Sequence, residues 1–235
     1  MACEAMFDRE AARLREILLE QRAVSPLLNL GSSTREFREA TKPHIQAELF
    51  GPLEAAGVRI FHADLKRDEG VDLAGDVLDP AVRADLKARG FKCVLCANLL
   101  EHVRDREAVA AACEEIVGPG GLVLATVPSS FPYHADPIDT LYRPEPAALA
   151  ALFAGSTTLL AEEVKGRSYG EDMKARGLSF WKEAALTLRA ALVSLVRPKG
   201  FASRAHRWLW YKRPYRVAIA LVEVRKPPSQ SGSRR

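Results

Sequence analysis

The sequence is short of cysteine, has no long apolar run and carries no glycine-rich dinucleotide fingerprint. Each shortage removes a class of function. Four cysteines in 235 residues, Cys3, Cys93, Cys96 and Cys113, are too few and stand in too apolar a context for a disulfide framework, which fits a reducing compartment. Cys93 and Cys96 have the spacing of a redox or zinc pair, but residues three apart on a strand point to opposite faces and no second pair exists, so no metal is expected. The longest nearly uncharged helical stretch, 184–196, contains Arg189 and falls well below the roughly 20 residues that cross a bilayer. The first ten residues already hold Glu4, Asp8, Arg9 and Glu10, unlike a secretory leader, and the expected location is cytoplasmic. No G-x-G-x-x-G is present, which ranks a nicotinamide-dependent oxidoreductase last.

What is there reads as one folded domain over 1–226. With 48% hydrophobic and 27% charged residues, 15 Gly and 14 Pro, the chain is neither disordered nor fibrous. The tail 227–235, rich in Pro, Ser, Gly and Arg, is expected to be disordered. The formal charge of +4 conceals two halves: 17 basic against 26 acidic residues in 1–164, and 17 against 4 in 165–235. A basic last third on an acidic body suits an anionic partner such as a phosphorylated substrate, a membrane surface or nucleic acid, or a solvated basic face.

Strands and helices alternate. Residues 8–22 carry Ala11, Leu14, Ile17 and Leu18 at helical spacing with charges between them. Residues 24–30 read as a buried strand, followed by the turn Gly31-Ser32-Ser33-Thr34 with helix-capping side chains. A broken helix over 43–56 restarts at Pro52, and a strand over 58–63 ends at Asp64. A short strand at 71–74, a helix at 80–88 stopped by Gly90, an apolar strand at 91–97, a helix at 105–117 with an acidic cap, and a strand at 122–127 before Pro128 continue the pattern. An irregular segment 129–146, a helix at 147–153, a strand at 157–164 and a last strand at 215–224 complete it. The architecture implied is α/β, a doubly wound, mostly parallel seven-stranded sheet of Rossmann-like type. A helical basic insertion, about 166–213, precedes the last strand. Within it Leu178, Trp181, Ala185, Leu188, Leu192 and Leu195 form one apolar helical stripe that is expected to pack on the core as a lid.

In an open parallel sheet, ligands bind beyond the carboxyl ends of the strands, near the point where strand order reverses. That directs attention to 29–34, Asp64, Asp76, 98–102 and 128–139. A carboxylate at the end of the second strand can accept hydrogen bonds from two ribose hydroxyls, which makes Asp64 a candidate against a plain turn or cap. The connection 34–43, with Arg35, Arg38 and Lys42, reads as a long loop, either a lid or a solvated link.

Three stretches resemble the class I S-adenosylmethionine-dependent methyltransferases, particularly the small-molecule group. They are Leu27-Leu28-Asn29-Leu30-Gly31 in the first strand, 93–103 through Asn98-Leu99-Leu100-Glu101-His102-Val103 in the fourth strand and its loop, and Val117-Gly118-Pro119-Gly120-Gly121-Leu122 in the turn into the fifth. The resemblance covers roughly 24–164, with 215–224 as the final antiparallel strand. It implies S-adenosylmethionine as cofactor. Gly31 would admit the methionine part close to the backbone, Asp64 would hold the ribose, Asp76 would accept from the adenine amino group, and Asn98 with Leu99 would line the methionyl side. The family usually has an acid at the Asn29 position and glycines where this chain has Ser33 and Arg35. Ser32, Ser33 and Thr34 offer hydroxyl and N–H groups instead, and Asn29 offers a carbonyl oxygen to an ammonium.

Methyl transfer is an in-line displacement that needs positioning, and a base where the acceptor must lose a proton. His134, in the loop Phe131-Pro132-Tyr133-His134-Ala135-Asp136-Pro137-Ile138-Asp139, and His102 are the candidates, with packing or an adenine contact as the other role for His102. Tyr133, Asp136 and Arg143 are candidates for substrate contact, and Asp136 and Asp139 can orient His134 or bind a metal. The expected function is methyl transfer to an O or N of a small or carrier-linked acceptor, anionic or neutral, the insertion forming part of its site. The alternative is a non-catalytic relative serving as a binding or assembly subunit. Aromatic residues interleaved with basic ones through 180–215 also suit a membrane interface or stacking on nucleic acid.

Overall fold

The computed structural model describes residues 6–134, 138–175, 177–193 and 208–226, the side chains of 190, 192 and 193 excepted. Helix α1 (Asp8–Glu20) leads into β1 (Leu27–Leu30). The helical segment 37–55 follows, in which α2 (Pro43–Ile45) and α3 (Gly51–Ala55) alternate with wider π-type turns at Phe37–Thr41 and Gln46–Phe50. Then come β2 (Ile60–Asp64), β3 (Leu73–Ala74), α4 (Pro80–Ala88), β4 (Cys93–Ala97), a 3₁₀ turn Leu100–His102, α5 (Arg106–Val117), β5 (Leu122–Ser130), α6 (Pro146–Ala151), β6 (Ser156–Ser168), α7 (Tyr169–Ala175), α8 (Phe180–Val193) and β7 (Pro214–Val224).

The seven strands form one sheet in the order β3-β2-β1-β4-β5-β7-β6. The first five run parallel, and β7 is antiparallel to both β5 and β6. Order reverses between β1 and β4, so the switch point lies at the ends of those two strands. Every residue of β1 is buried, as a central strand covered on both faces must be. Alternation then sorts the core into two layers. Leu28, Leu30, Val94, Cys96, Val123 and Ala125 pack under α4, α5 and α6 through Leu86, Ala110, Cys113, Ile116, Leu149 and Phe153. Leu27, Cys93, Leu95, Leu122 and Leu124 face α1 and segment 37–55 through Leu14, Ile17, Leu18, Leu49, Phe50 and Leu53. Cys93 and Cys96 do face opposite sides. Burial pushes the Cys93 thiol up to about 12, and Cys96 is raised by its contact with Cys113 and by burial, so both are inert packing groups.

Local chemistry sets the helix ends. Asp79 and Asp105 accept N–H bonds from Ala81 and Ala108 as N-caps of α4 and α5.

Three expectations are corrected. The connection 34–43 is not an open loop: Thr34 Oγ1 accepts the Phe37 N–H and helical turns begin there. Strand β5 does not stop at Pro128 but runs through it to Ser130, because the register with β7 shifts between 128 and 130 and the missing proline N–H is absorbed at that bulge. The apolar stripe of the insertion does not pack inward. Leu178, Trp181, Ala185 and Leu188 are all exposed, Trp181 to 78%; the side chain of Leu192 and all of Leu195 lie outside the described residues. Helix α7, unforeseen, intervenes between β6 and α8.

Candidate active site at the strand ends

The loop after β1 is held by hydrogen bonds rather than by glycines. Gly31 and Ser32 both donate their N–H to the Ala63 carbonyl, and the Ser33 N–H donates to Asp64 Oδ2 at 2.8 Å. Asp64 Oδ1 accepts the Lys66 N–H at 3.0 Å. Ser33 sits in the left-handed region at φ +54, a conformation glycine adopts without cost and other residues at about 1 kcal/mol. Arg38 closes the loop from below: buried, it donates Nη1 to the carbonyls of Ser32 and Ser33 and Nη2 to that of Gly70. Gly70 has no alternative residue, since at φ +76 an added Cβ would stand 2.7 Å from Arg35 Cβ. Arg35 pairs with Glu69 at 2.8 Å. Arg35 and Arg38, read as loop cations, are thus structural ties.

Asn29 lies opposite His62 in the parallel register, and its Nδ2 donates to His62 Nδ1 at 3.1 Å. Burial, followed by the charges of Arg38 and Arg35, lowers His62 to about 4 against the opposing pull of Asp72, which keeps the imidazole neutral and Nδ1 an acceptor. At Gly31, φ +74, a Cβ would meet Leu99 Cδ1 at 3.1 Å, so Leu99 packs directly on this turn. Ser32 is buried with its hydroxyl donated to the Ser33 carbonyl. Asp76 Oδ1 accepts the Leu78 N–H at 2.9 Å.

Asn98 takes φ +50 and turns its amide away from this turn, toward a residue the sequence reading missed. Glu10, on α1, is 1% exposed. Its Oε1 accepts from Asn98 Nδ2 at 2.8 Å and from Thr126 Oγ1 at 2.7 Å, and its Oε2 accepts the Phe7 N–H at 3.2 Å. Burial raises its carboxyl above the ordinary range, against the pull of those three donors.

Beyond β5, His134 and residues 138–143 meet the 3₁₀ turn. The Thr140 N–H and Oγ1 both donate to the Glu101 carbonyl at 2.9 Å, which brings His134 against His102 with ring centroids 5.1 Å apart, edge to face. His102 thus lies against His134, with the Ile138 carbonyl facing its Nδ1. Asp139 orients His134: its Oδ2 accepts the His134 N–H at 3.0 Å and lies 3.3 Å from Nδ1. Burial pushes Asp139 up, but Arg143 and the N–H groups of His134 and Leu141 outweigh it and hold the carboxyl low. Burial lowers His134 against the pull of the Pro132 carbonyl and Asp139. Arg143 is spent on Asp139, at 2.6 and 3.1 Å, and on the Tyr142 carbonyl. Tyr133 is exposed, and Asp136 lies outside the described residues. Glu101, quoted in the sequence motif but assigned no role, is fully buried with both carboxylate oxygens unpartnered, and burial raises it to about 8.

An aromatic row links the loop to α1: His134 to Phe131 at 5.2 Å, Phe131 to Tyr215 at 4.8 Å, Tyr215 to Phe7 at 5.8 Å. Phe7 and Tyr215 also line a cleft of about 380 Å³ with Lys42, His44, Arg167 and Asp172.

The neutral His62 gives a pH test. Its pKa is about 6.5 in the unfolded chain and about 4 when folded, so protons bind the unfolded state better and stability is lost as pH falls from 6.5 toward 4. Urea titrations at pH 7 and 4.5 should show wild type losing about 1–2 kcal/mol more than His62→Asn; equal losses would remove His62 as the cause.

No family model matches the chain, and no curated protein matches it. Solved structures do. A SAM dependent methyltransferase from Archaeoglobus fulgidus is similar with a TM-score of 0.52 at 12% identity, over 91% of this chain and 92% of that one. The [4+2]-cyclase SpnF is similar with a TM-score of 0.50 at 14% identity, over 95% and 85%. Likeness at such identity speaks to architecture, and together with the strand order and the antiparallel β7 it establishes that the chain has the fold of the class I S-adenosylmethionine-dependent methyltransferases.

Proposed function

We propose that the chain is an S-adenosylmethionine-dependent methyltransferase acting on an O or N atom of a small or carrier-linked acceptor. The observation that carries this reading is Asp64, a carboxylate at the end of β2 bonded to the β1 loop beside the switch point. Each of its oxygens accepts one N–H and keeps capacity for a ribose hydroxyl. Asp76 stands next along for the adenine amino group. Gly31, Ser32, Ser33 and Leu99 border the methionyl end, where Asn29 Oδ1 can accept from an ammonium and Asn98 lies alongside. Bound there, the cofactor supplies an electrophilic methyl group. The chain contributes positioning, and on the acceptor side His134 and His102 offer imidazole lone pairs beside an acceptor, with Tyr133 and Arg143 as further contacts. The cleft on Phe7 and Tyr215, which includes Arg167 and Asp172 of the insertion, is a place for the acceptor's body.

One observation favours a second reading, a binding subunit without cofactor: the carbonyls of Ser32 and Ser33 are already occupied by Arg38. Calorimetric titration separates the two. S-adenosylmethionine and S-adenosylhomocysteine should bind with micromolar Kd and NADH should not; Asp64→Asn should weaken binding at least tenfold, and His134→Ala should leave it unchanged. A folded, ligand-free protein that binds neither compound would favour the second reading.

The exposed stripe Leu178, Trp181 and Leu188, beside Lys182 and Arg189, supports peripheral contact with an anionic membrane surface, where a carrier-linked acceptor would be found. The protein should sediment with phosphatidylglycerol vesicles and not with phosphatidylcholine vesicles, and Trp181→Glu should weaken this severalfold. Unchanged sedimentation of that variant would refute the assignment.

A further inference from the structure

The Glu101 carboxylate presents an unresolved deficit. The residue is 0% exposed and neither oxygen has a hydrogen-bond partner, although a buried carboxylate ordinarily needs a counter-charge and several donors. A proton removes the charge but leaves the hydroxyl and the carbonyl oxygen without partners. His102 Nε2 stands 3.8 Å from Glu101 Oε1, and one ligand atom each from Glu101, His102 and His134 lies within 4.8 Å of the others.

The two imidazoles are prepared in the same sense. The Ile138 carbonyl faces His102 Nδ1, which fixes Nδ1 as the protonated nitrogen and leaves Nε2 with its lone pair toward Glu101. The Pro132 carbonyl and Asp139 Oδ2 both face His134 Nδ1, each at 3.3 Å, with the same consequence for its Nε2. Donation of the far N–H to a carbonyl or carboxylate is the arrangement that orients metal-ligating histidines and raises their basicity. Arg143 in turn fixes Asp139.

We propose that Glu101, His102 and His134 form a binding site for a first-row divalent transition cation of the zinc or cobalt type. Two imidazole nitrogens and one carboxylate oxygen suit such ions better than magnesium or calcium, which prefer all-oxygen sets. Three protein ligands leave coordination positions free for a hydroxyl or carboxylate of an acceptor. The inference deepens the methyl-transfer reading by giving the lone pairs of the two histidines a shared purpose, yet its test does not require activity.

Protein dialysed against a chelator is titrated with ZnCl2 and, separately, with CoCl2 monitored by its visible absorption, with no cofactor present. One cation per chain should bind with a Kd of micromolar or below and raise the Tm. Glu101→Gln and His134→Ala should each lose at least tenfold in affinity, Asp139→Asn about tenfold or more, and His44→Ala, outside the cluster, nothing. Circular dichroism checks that each variant is folded; Glu101→Gln, being isosteric, is the decisive one should the others unfold. Absence of binding to the wild type, or equal binding to folded Glu101→Gln, overturns the site. S-adenosylhomocysteine affinity measured on the same metal-free sample reports separately on the cofactor reading.

Discussion

Most of the site depends on the burial of one carboxyl group, that of Glu10. Taking it out of water costs several kcal/mol unless donors replace the lost solvent, and three do so from three elements: Asn98 after β4, Thr126 on β5, and the N–H of Phe7 at the start of its own helix. Those bonds hold α1 across the ends of the sheet. They also fix Phe7, which stacks on Tyr215, whose ring meets Phe131 and through it His134. The turn after β4 and His134 are therefore anchored to the same buried group, and loss of Glu10 would release both.

The β1 turn shows a different way to build a rigid loop at the switch point. Where related folds place further glycines, this chain has Ser33 and Arg35. The strain at Ser33 is met by the bond from its N–H to Asp64, and the carbonyls it leaves are satisfied by Arg38. Rigidity here comes from side chains reaching the backbone, so the loop is pre-organised without being glycine-rich. Asn29 in turn depends on a His62 kept neutral by burial and by the same arginine.

Elements governed by local chemistry were legible in the sequence: α4 and α5, with their Asp caps, and the central strands, with their apolar runs, lie where capping and pattern place them. Pro128 misled because a bulge, set by pairing with β7, accommodates it. Glu10 sits on a helix with Asp8 and Glu16 and nothing local distinguishes it from a solvated acid; only the sheet brings Asn98 and Thr126 to it. His102 and His134 were both legible as strand-end residues, but their contact depends on Thr140 tying the loop to Glu101. The stripe on α8 was read correctly as apolar and wrongly as buried, since periodicity identifies a face and not what covers it. Arg38 was read only as part of a loop, lid or solvated link, because its carbonyl partners on Ser32, Ser33 and Gly70 come together only through the fold.

The central claim is that the ends of β1, β2 and β4 form a cofactor site. Crystals grown with S-adenosylhomocysteine test it most directly. The account predicts density for the ribose over Asp64, the adenine toward Asp76 and the methionyl end at Gly31 and Leu99. Well-ordered ligand at another place on the molecule, or crystals saturated with ligand whose strand ends remain filled by solvent alone, would contradict it.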